Sequence, residues 1–271
     1  MDMAVKRKIL VTGGAGLIGS RLVRTLVKQR CKVKVLDTRY GELEAEKDNP
    51  NLEFLGIGSD ELHGGIADRR MAEESVGDVD VVYHLAVNWD GASWKHALPI
   101  PDLFDVNIRG AINLLDGAKS GDVKHFIFAS SAAVYGETER TISLRHHARE
   151  EQVDEEAVCS PELWDGDPGP AYAILKLTTE KLCLMYHYQY DLPVTVFRLE
   201  YVIVGEKELE DHANIHVDDV VNAFILAAMN RKTYGQVYNL ASSSPYMSSE
   251  KLQRTLGWRP TARRAFLGRA N

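Results

Sequence analysis

Tyr172 and Lys176 stand four residues apart in a stretch with helical spacing, so both side chains leave the same helix face. A lysine ammonium beside a phenol stabilises the phenolate and draws its pKa down from about 10 toward neutrality. Ser130 and Ser131 follow a short apolar run, His125–Ala129, that reads as a strand, and a serine hydroxyl at a strand end can hold a substrate oxygen. Phenol, ammonium and hydroxyl together form a proton donor and acceptor for a secondary alcohol or ketone placed beside a nicotinamide. Tyr-x-x-x-Lys occurs by chance in many helices. Its weight here comes from what precedes it.

The elements that must position those groups begin at the head of the chain. Ile9, Leu10 and Val11 form a buried-strand run, broken by Gly13, Gly14, Gly16 and Gly19. Leu17, Ile18, Leu22, Val23, Leu26 and Val27 then recur at helical spacing. Strand, glycine turn and helix in about 20 residues open a dinucleotide-binding βαβ unit. Gly13 turns the chain off the strand, Gly16 admits the pyrophosphate close to backbone, and Gly19 brings helix onto strand. The N–H groups of the first helical turn face the phosphate charge. A second strand, Lys32–Leu36, ends in Asp37, whose carboxylate is placed to accept hydrogen bonds from the adenosine ribose and to repel a 2′-phosphate. That predicts NAD over NADP, with nearby Arg39 weakening the preference.

The remaining pattern alternates strand and helix. Strands are predicted at Leu52–Gly56 and Val79–Val87, and helices at Arg69–Val76, Asp102–Lys119 and Ala171–Tyr190. Asp68 precedes the first of these helices, as an N-cap, a neighbour of the adenine, or both. His84 in an apolar strand reads as a packed core residue. Asn107 interrupts an apolar helix face and needs buried partners. The loop after the fourth strand carries Trp89, Asp90, Trp94 and Lys95, which are pocket candidates or a dimer contact.

Composition sets bounds. The chain has 271 residues, 45% of them hydrophobic, and a formal net charge of −7, with basic residues scattered, which argues against nucleic acid as a partner. Cys31, Cys159 and Cys183 are isolated, as expected of a reducing cytosol without disulfides or a zinc site. No apolar stretch is long enough for a signal peptide or membrane span, so a soluble cytoplasmic protein is expected.

Taken together, TGGAGLIG (12–19), Asp37, HLA (84–86), Asn107, SSAAVYG (130–136), YAILK (172–176), Arg198, HVDDV (216–220) and LGW-x-P (257–260) make the chain resemble an extended short-chain dehydrogenase/reductase of the NAD-dependent epimerase/dehydratase family. The resemblance covers nearly the whole chain and is nearest the UDP-galactose 4-epimerase branch around SSAAVYG. It implies an α/β fold, a doubly wound parallel Rossmann sheet with a small C-terminal substrate lobe. Residues 1–195 would form the NAD-binding domain, with an insertion at about 141–169. Residues 196–271 would form a shortened lobe, with 216–240 returning to the core. It implies Ser131, Tyr172 and Lys176 as the catalytic triad, with Lys176 also bonding the nicotinamide ribose. Gly13, Gly16, Leu17, Ile18, Gly19, Asp37, Asp68, Leu85, Ala86, Asn107, Ser130, Tyr172 and Lys176 would line the cofactor. Trp89, Trp94, Arg198 and Ser131 would face the substrate. A homodimer through the helices at about 102–119 and 171–190 is expected.

The chain departs from the family pattern in three places. The Asp-Glu pair of the dehydratases is replaced by Ala132 and Ala133, so water elimination is not expected. The link from Ser131 to Tyr172 is long and rich in acids, either a lid or a decorated loop. The lobe between the strand at Val194–Val204 and HVDDV is cut short, with Tyr201 near the family's asparagine position. Uronate dehydrogenases show a similarly short lobe, and there Arg198 would pair with a substrate carboxylate; otherwise it is a structural ion-pair partner. The expected activity is NAD-dependent proton and hydride transfer on a sugar or nucleotide sugar, as an epimerase first and a dehydrogenase or ketoreductase of a free sugar or uronate second. The alternative of a different class, a non-catalytic NAD-binding protein, would have no use for Ser131, Tyr172 and Lys176.

Overall fold

Short, nearly all-apolar runs have no polar side to leave in water, so they become strands covered on both faces. In the computed structural model, which describes residues 7–59, 65–88, 99–136, 152–159, 161, 169–205, 214–242, 244 and 247–261, such runs are β1 (Lys8–Thr12), β2 (Lys32–Leu36), β3 (Leu52–Leu55), β4 (Val81–His84), β5 (His125–Ser131) and β6 (Val194–Leu199). A two-stranded pair, β7 (Tyr201–Ile203) and β8 (Asn214–His216), precedes β9 (Gln236–Leu240). The main sheet has seven strands in the order β3-β2-β1-β4-β5-β6-β9, and every neighbouring pair is parallel. This is the doubly wound Rossmann arrangement, whose order reverses between β1 and β4.

Two apolar layers cover the sheet. On one face α1 (Leu17–Lys28) and α6 (Val217–Ala228) bury Leu22, Leu26, Val220 and Phe224 against Val11, Tyr83 and Phe197. On the other, α2 (Arg69–Val76), α4 (Gly110–Ser120) and α5 (Gly169–Tyr190) bury Val76, Leu114 and Cys183 against Leu10, Phe126 and Phe128. Trp258, beyond α7 (Glu250–Leu256), is fully buried in the first layer.

Two local expectations are revised. The helix expected over Asp102–Lys119 is divided: α3 (Ile100–Phe104) passes through a π-helical turn, Asp105–Arg109, into α4. The fourth strand, Val81–His84, is shorter than Val79–Val87, because β1 ends at Thr12 and offers the chain beyond Leu85 and Ala86 no further partner. The N-terminus of α6 is capped by the His216 imidazole, accepting from the Asp218 N–H at 3.2 Å, with Asp218 and Asp219 in the first turn. Asp219 turns inward, where its carboxylate accepts from the N–H and hydroxyl of Thr261, and its carbonyl accepts from the Trp258 indole at 3.1 Å.

The C-terminal segment is thus pinned by one aromatic anchor. Trp258→Ala should cost about 3–5 kcal/mol, read as a lower denaturation midpoint in urea.

Candidate active site

The glycine turn lies at the reversal point of the sheet. Gly13 has φ +66°, and a Cβ there would come within 2.7 Å of the Ala86 backbone. A Cβ on Gly19 would collide with the Gly13 carbonyl, so helix and turn touch backbone to backbone. At Gly16 a Cβ would meet only the Gly13 oxygen, at 3.4 Å. Packing within the protein does not require glycine there. Gly16 is also the N-cap of α1, with no side-chain cap and no acid in the first turn, so the N–H groups near Leu17, Ile18 and Gly19 meet no protein anion.

Asp37 sits just past β2 and accepts the Ala15 N–H at 3.0 Å on one carboxylate oxygen. The acid therefore braces the glycine turn. Leu85 and Ala86 tie the exit of β4 to β1 through the Thr12 carbonyl and hydroxyl. His84 bonds Thr12 Oγ1 through Nδ1 at 2.8 Å and stacks on Phe128, and burial pushes its imidazole down to about 3, so it is neutral. Asp68 accepts the Met71 N–H at 2.9 Å as the cap of α2. These residues fit a dinucleotide laid across the β1/β4 crevice.

Ser131 ends β5 and its hydroxyl bonds the Tyr172 phenol; it also accepts the Ala133 N–H at 3.2 Å. Lys176 is buried one turn further along α5, with its Nζ donating to the Ala129 carbonyl at 2.8 Å and lying 5.7 Å from the Tyr172 ring centre. Burial pushes the ammonium down to about 8 and raises the Tyr172 phenol above its ordinary value, an effect the Ser131 bond partly opposes. From sequence the ammonium is expected to draw the phenol down; here the ammonium donates to Ala129 and burial dominates the phenol. Below Lys176 a cavity of about 10 Å³, reached by His84, Asn107, Phe128 and Thr179, has room for about one water.

Asn107, in the π-helical turn, bonds both the N–H and the carbonyl of Asn88 at 3.0 Å. It holds the chain leaving β4 toward the ligand edge. Ser130 donates to Glu180 at 3.2 Å. Arg198 does not fit a substrate contact. It is buried and clamped by both Glu180 oxygens, at 2.6 and 3.1 Å, while a further nitrogen donates to the Tyr135 hydroxyl at 2.8 Å. The ion-pair alternative is the one the geometry supports. Trp89 and Trp94, with Asp90, Lys95 and nearly all of 141–169, lie outside the described residues.

Reasoning from sequence missed the Glu180–Arg198–Tyr135 network. Tyr135 continues it to Asn239 at 2.7 Å, and Asn239 bonds the Val153 carbonyl and the Glu155 carboxylate. Through it the middle of the long link is stitched onto β9.

A parallel sheet of this order, with a glycine turn at the reversal point and a Tyr–Lys–Ser cluster beside it, defines a dinucleotide-dependent oxidoreductase-type fold. The profile of the NAD dependent epimerase/dehydratase family matches residues 9–214, and the chain belongs to that family. It is an enzyme family, and NAD is its cofactor. The chain is 29% identical over 279 residues to a UDP-N-acetyl-alpha-D-glucosaminuronate decarboxylase of Bacillus cytotoxicus, covering 92% of this chain and 79% of the relative. It is 38% identical over 133 residues to a UDP-glucose 4-epimerase of Lactobacillus helveticus, covering 48% of this chain but only 37% of that enzyme. Among solved structures, a mutated uronate dehydrogenase superposes with a TM-score of 0.73 at 24% identity, over 94% of this chain and 81% of the other. A UDP-glucose 4-epimerase of Thermotoga maritima superposes with a TM-score of 0.72 at 24% identity, over 94% of each chain. These structural likenesses establish the fold.

Lys176 has a folded-state pKa below its unfolded one. Folding therefore carries a penalty at neutral pH, which fades as the pH rises from about 8 toward 10.5. Lys176→Met should stabilise the ligand-free protein by about 1–3 kcal/mol at pH 7, with a smaller gain at pH 10, in urea titrations at the two pH values.

Proposed function

We propose that the protein is a sugar epimerase working by NAD-dependent oxidation and re-reduction of a secondary hydroxyl on a sugar or nucleotide sugar. The observation that carries this is the Ser131 hydroxyl bonded to the Tyr172 phenol, one helical turn from buried Lys176. When bound, NAD supplies a hydride acceptor and donor, and its positive ring favours the phenolate of Tyr172. The glycine turn would hold its pyrophosphate, Asp37 its adenosine ribose and Lys176 its nicotinamide ribose.

The chain's own part is proton management. Tyr172 takes the substrate hydroxyl proton as the carbinol carbon becomes a ketone, and gives it back when the carbinol re-forms on the opposite face. Ser131 holds the substrate oxygen through both steps. No acid pair follows Ser131, only Ala132 and Ala133, so water elimination has no proton donor there.

One observation favours a second reading, a dehydrogenase of a free sugar or uronate: only residues 204–213 separate β7 from β8, little chain to grip a nucleotide. The three unpaired cysteines favour a cytosolic setting, and no helix among the described residues is long and apolar enough to cross a membrane. A homodimer through α3, α4 and α5 is also part of the proposal. Ile100 and Tyr188 are each more than 70% exposed there, beside Phe104 and Met185.

Tyr172→Phe should cut turnover by at least a hundredfold while NAD still binds, which steady-state kinetics and NAD titration check together; unchanged turnover would remove the mechanism. Stoichiometric NAD(H) released from denatured wild-type protein supports the epimerase, and none supports the dehydrogenase. Met185→Glu should convert a dimer into a monomer in sedimentation velocity without changing NAD binding.

A further inference from the structure

Arg24 lies about two turns into α1 and faces a short 3-10 helix, Gly41–Glu46. Its guanidinium holds that helix at both ends. Nε donates to one Glu46 carboxylate oxygen at 2.6 Å, and a second nitrogen donates to the other oxygen at 3.4 Å and to the Glu42 carbonyl. Glu42 carries the connection back to the glycine turn, its N–H donating to the Ala15 carbonyl at 3.0 Å. Ala15 precedes Gly16, and its own N–H is held by Asp37. The bonds close a ring: from Ala15 into α1, along it to Arg24, across to Glu42, and back to Ala15. The start of α1, with no side-chain cap on its N–H groups, lies within that ring.

The ring fits closely. Gly41 has φ +47°, and a Cβ there would stand 2.6 Å from the Ala15 carbonyl oxygen, so helix and turn meet backbone to backbone. Leu43 is the buried residue of the 3-10 helix. Apolar burial is non-directional, so Leu43 sets how deep the helix sits and leaves its register to directed bonds. A guanidinium suits that task, being planar, always charged and forked. The Arg24 and Glu46 side chains are 34% and 27% exposed, so water screens the pair only in part. The bond to Arg24 holds the Glu46 carboxyl below the usual carboxylate range, which keeps the pair charged at neutral pH. Neither side chain belongs to the apolar layer on this face. What their bond encloses is the glycine turn.

We propose that Arg24 is a positioning residue for NAD, closing this ring over the glycine turn and thereby slowing release of the dinucleotide. The inference rests on the placement of the pyrophosphate at the glycine turn and of the adenosine ribose at Asp37, and it holds for an epimerase and a dehydrogenase alike. Arg24 acts through Glu42 and Ala15. With the ring closed, the main chain at Ala15 and the first N–H groups of α1 keep one arrangement. With it open, residues 41–46 can lift from α1, and Ala15 loses one of the two bonds that fix it. Approach from solvent is the same in both cases, so the effect falls on dissociation.

The test uses the full chain loaded with NADH. Excess NAD is mixed in, and the fall in NADH fluorescence gives the dissociation rate for wild type, Arg24→Ala, Arg24→Lys, Glu46→Gln and Lys47→Ala. Arg24→Ala and Glu46→Gln should each speed dissociation about fivefold or more, with the association rate within about twofold of wild type. Arg24→Lys keeps the charge without the fork and should fall nearer Arg24→Ala than wild type. Adding Glu46→Gln to Arg24→Ala should change the rate by less than about twofold, since both remove one contact. Lys47→Ala breaks the Lys47–Glu44 pair beside the same helix and should leave the rate unchanged, which separates the ring from a general loosening of this surface. If Arg24→Ala does not fold, Glu46→Gln, which keeps the side-chain shape, decides alone. A dissociation rate within about twofold of wild type in Arg24→Ala and Glu46→Gln, or an equal rise in Lys47→Ala, overturns the proposal. Wild type that takes up no NADH overturns the placement of pyrophosphate and ribose together with it.

Discussion

The structure depends on a backbone-to-backbone contact between the ends of two parallel strands. At the point where the sheet reverses order, Gly13 leaves β1 so close to Ala86, beyond β4, that no side-chain carbon fits between them. Thr12 secures the same junction twice, with its carbonyl to the Leu85 N–H and its hydroxyl to Ala86 and His84. With the junction closed, α1 starts over the crevice with free N–H groups, and Asp37 reaches back to brace Ala15. The surface at this reversal point is therefore made of main chain, which has little freedom to lose on binding a ligand.

A second constraint holds the reacting edge. Glu180 on α5 gathers Ser130 from β5 and Arg198 from β6, and Arg198 passes the connection through Tyr135 to Asn239 on β9. Three adjacent strands and one helix are thereby fixed at the height of the Tyr172–Lys176 pair. An ion pair this deep contributes little net stability, since desolvation consumes most of its attraction. Its effect is on position: bidentate geometry leaves α5 one rotation about its axis.

Much of this was legible in the sequence because it is local. Glycine spacing, the acid at the end of β2, apolar runs and the four-residue interval from Tyr172 to Lys176 are set by neighbours along the chain. What was not legible depends on partners far away. Arg198 reads equally well as a substrate clamp until Glu180, 18 residues earlier, is seen against it. Asp219 has the look of a helix cap, yet Thr261 claims it from 42 residues on. The rise of the Tyr172 pKa could not be read at all, since it comes from the enclosure that the whole sheet provides.

The π-helical turn at Asp105–Arg109 has a consequence for how the long helical segment is used. A turn of this kind carries one residue more than an α-turn, which rotates everything after it by about 100°. One continuous stretch of sequence thereby acts as two helices with different phase. The first half points Leu103 and Val106 inward and lets Asn107 fasten the chain beyond β4. The second sets Gly110 and Gly117 against the side chains of Ile66 and Val76, so that α4 packs closely on α2 and the turn before it. A single surplus residue thus acts as a clutch between ligand edge and core, letting each be aligned to its own neighbours.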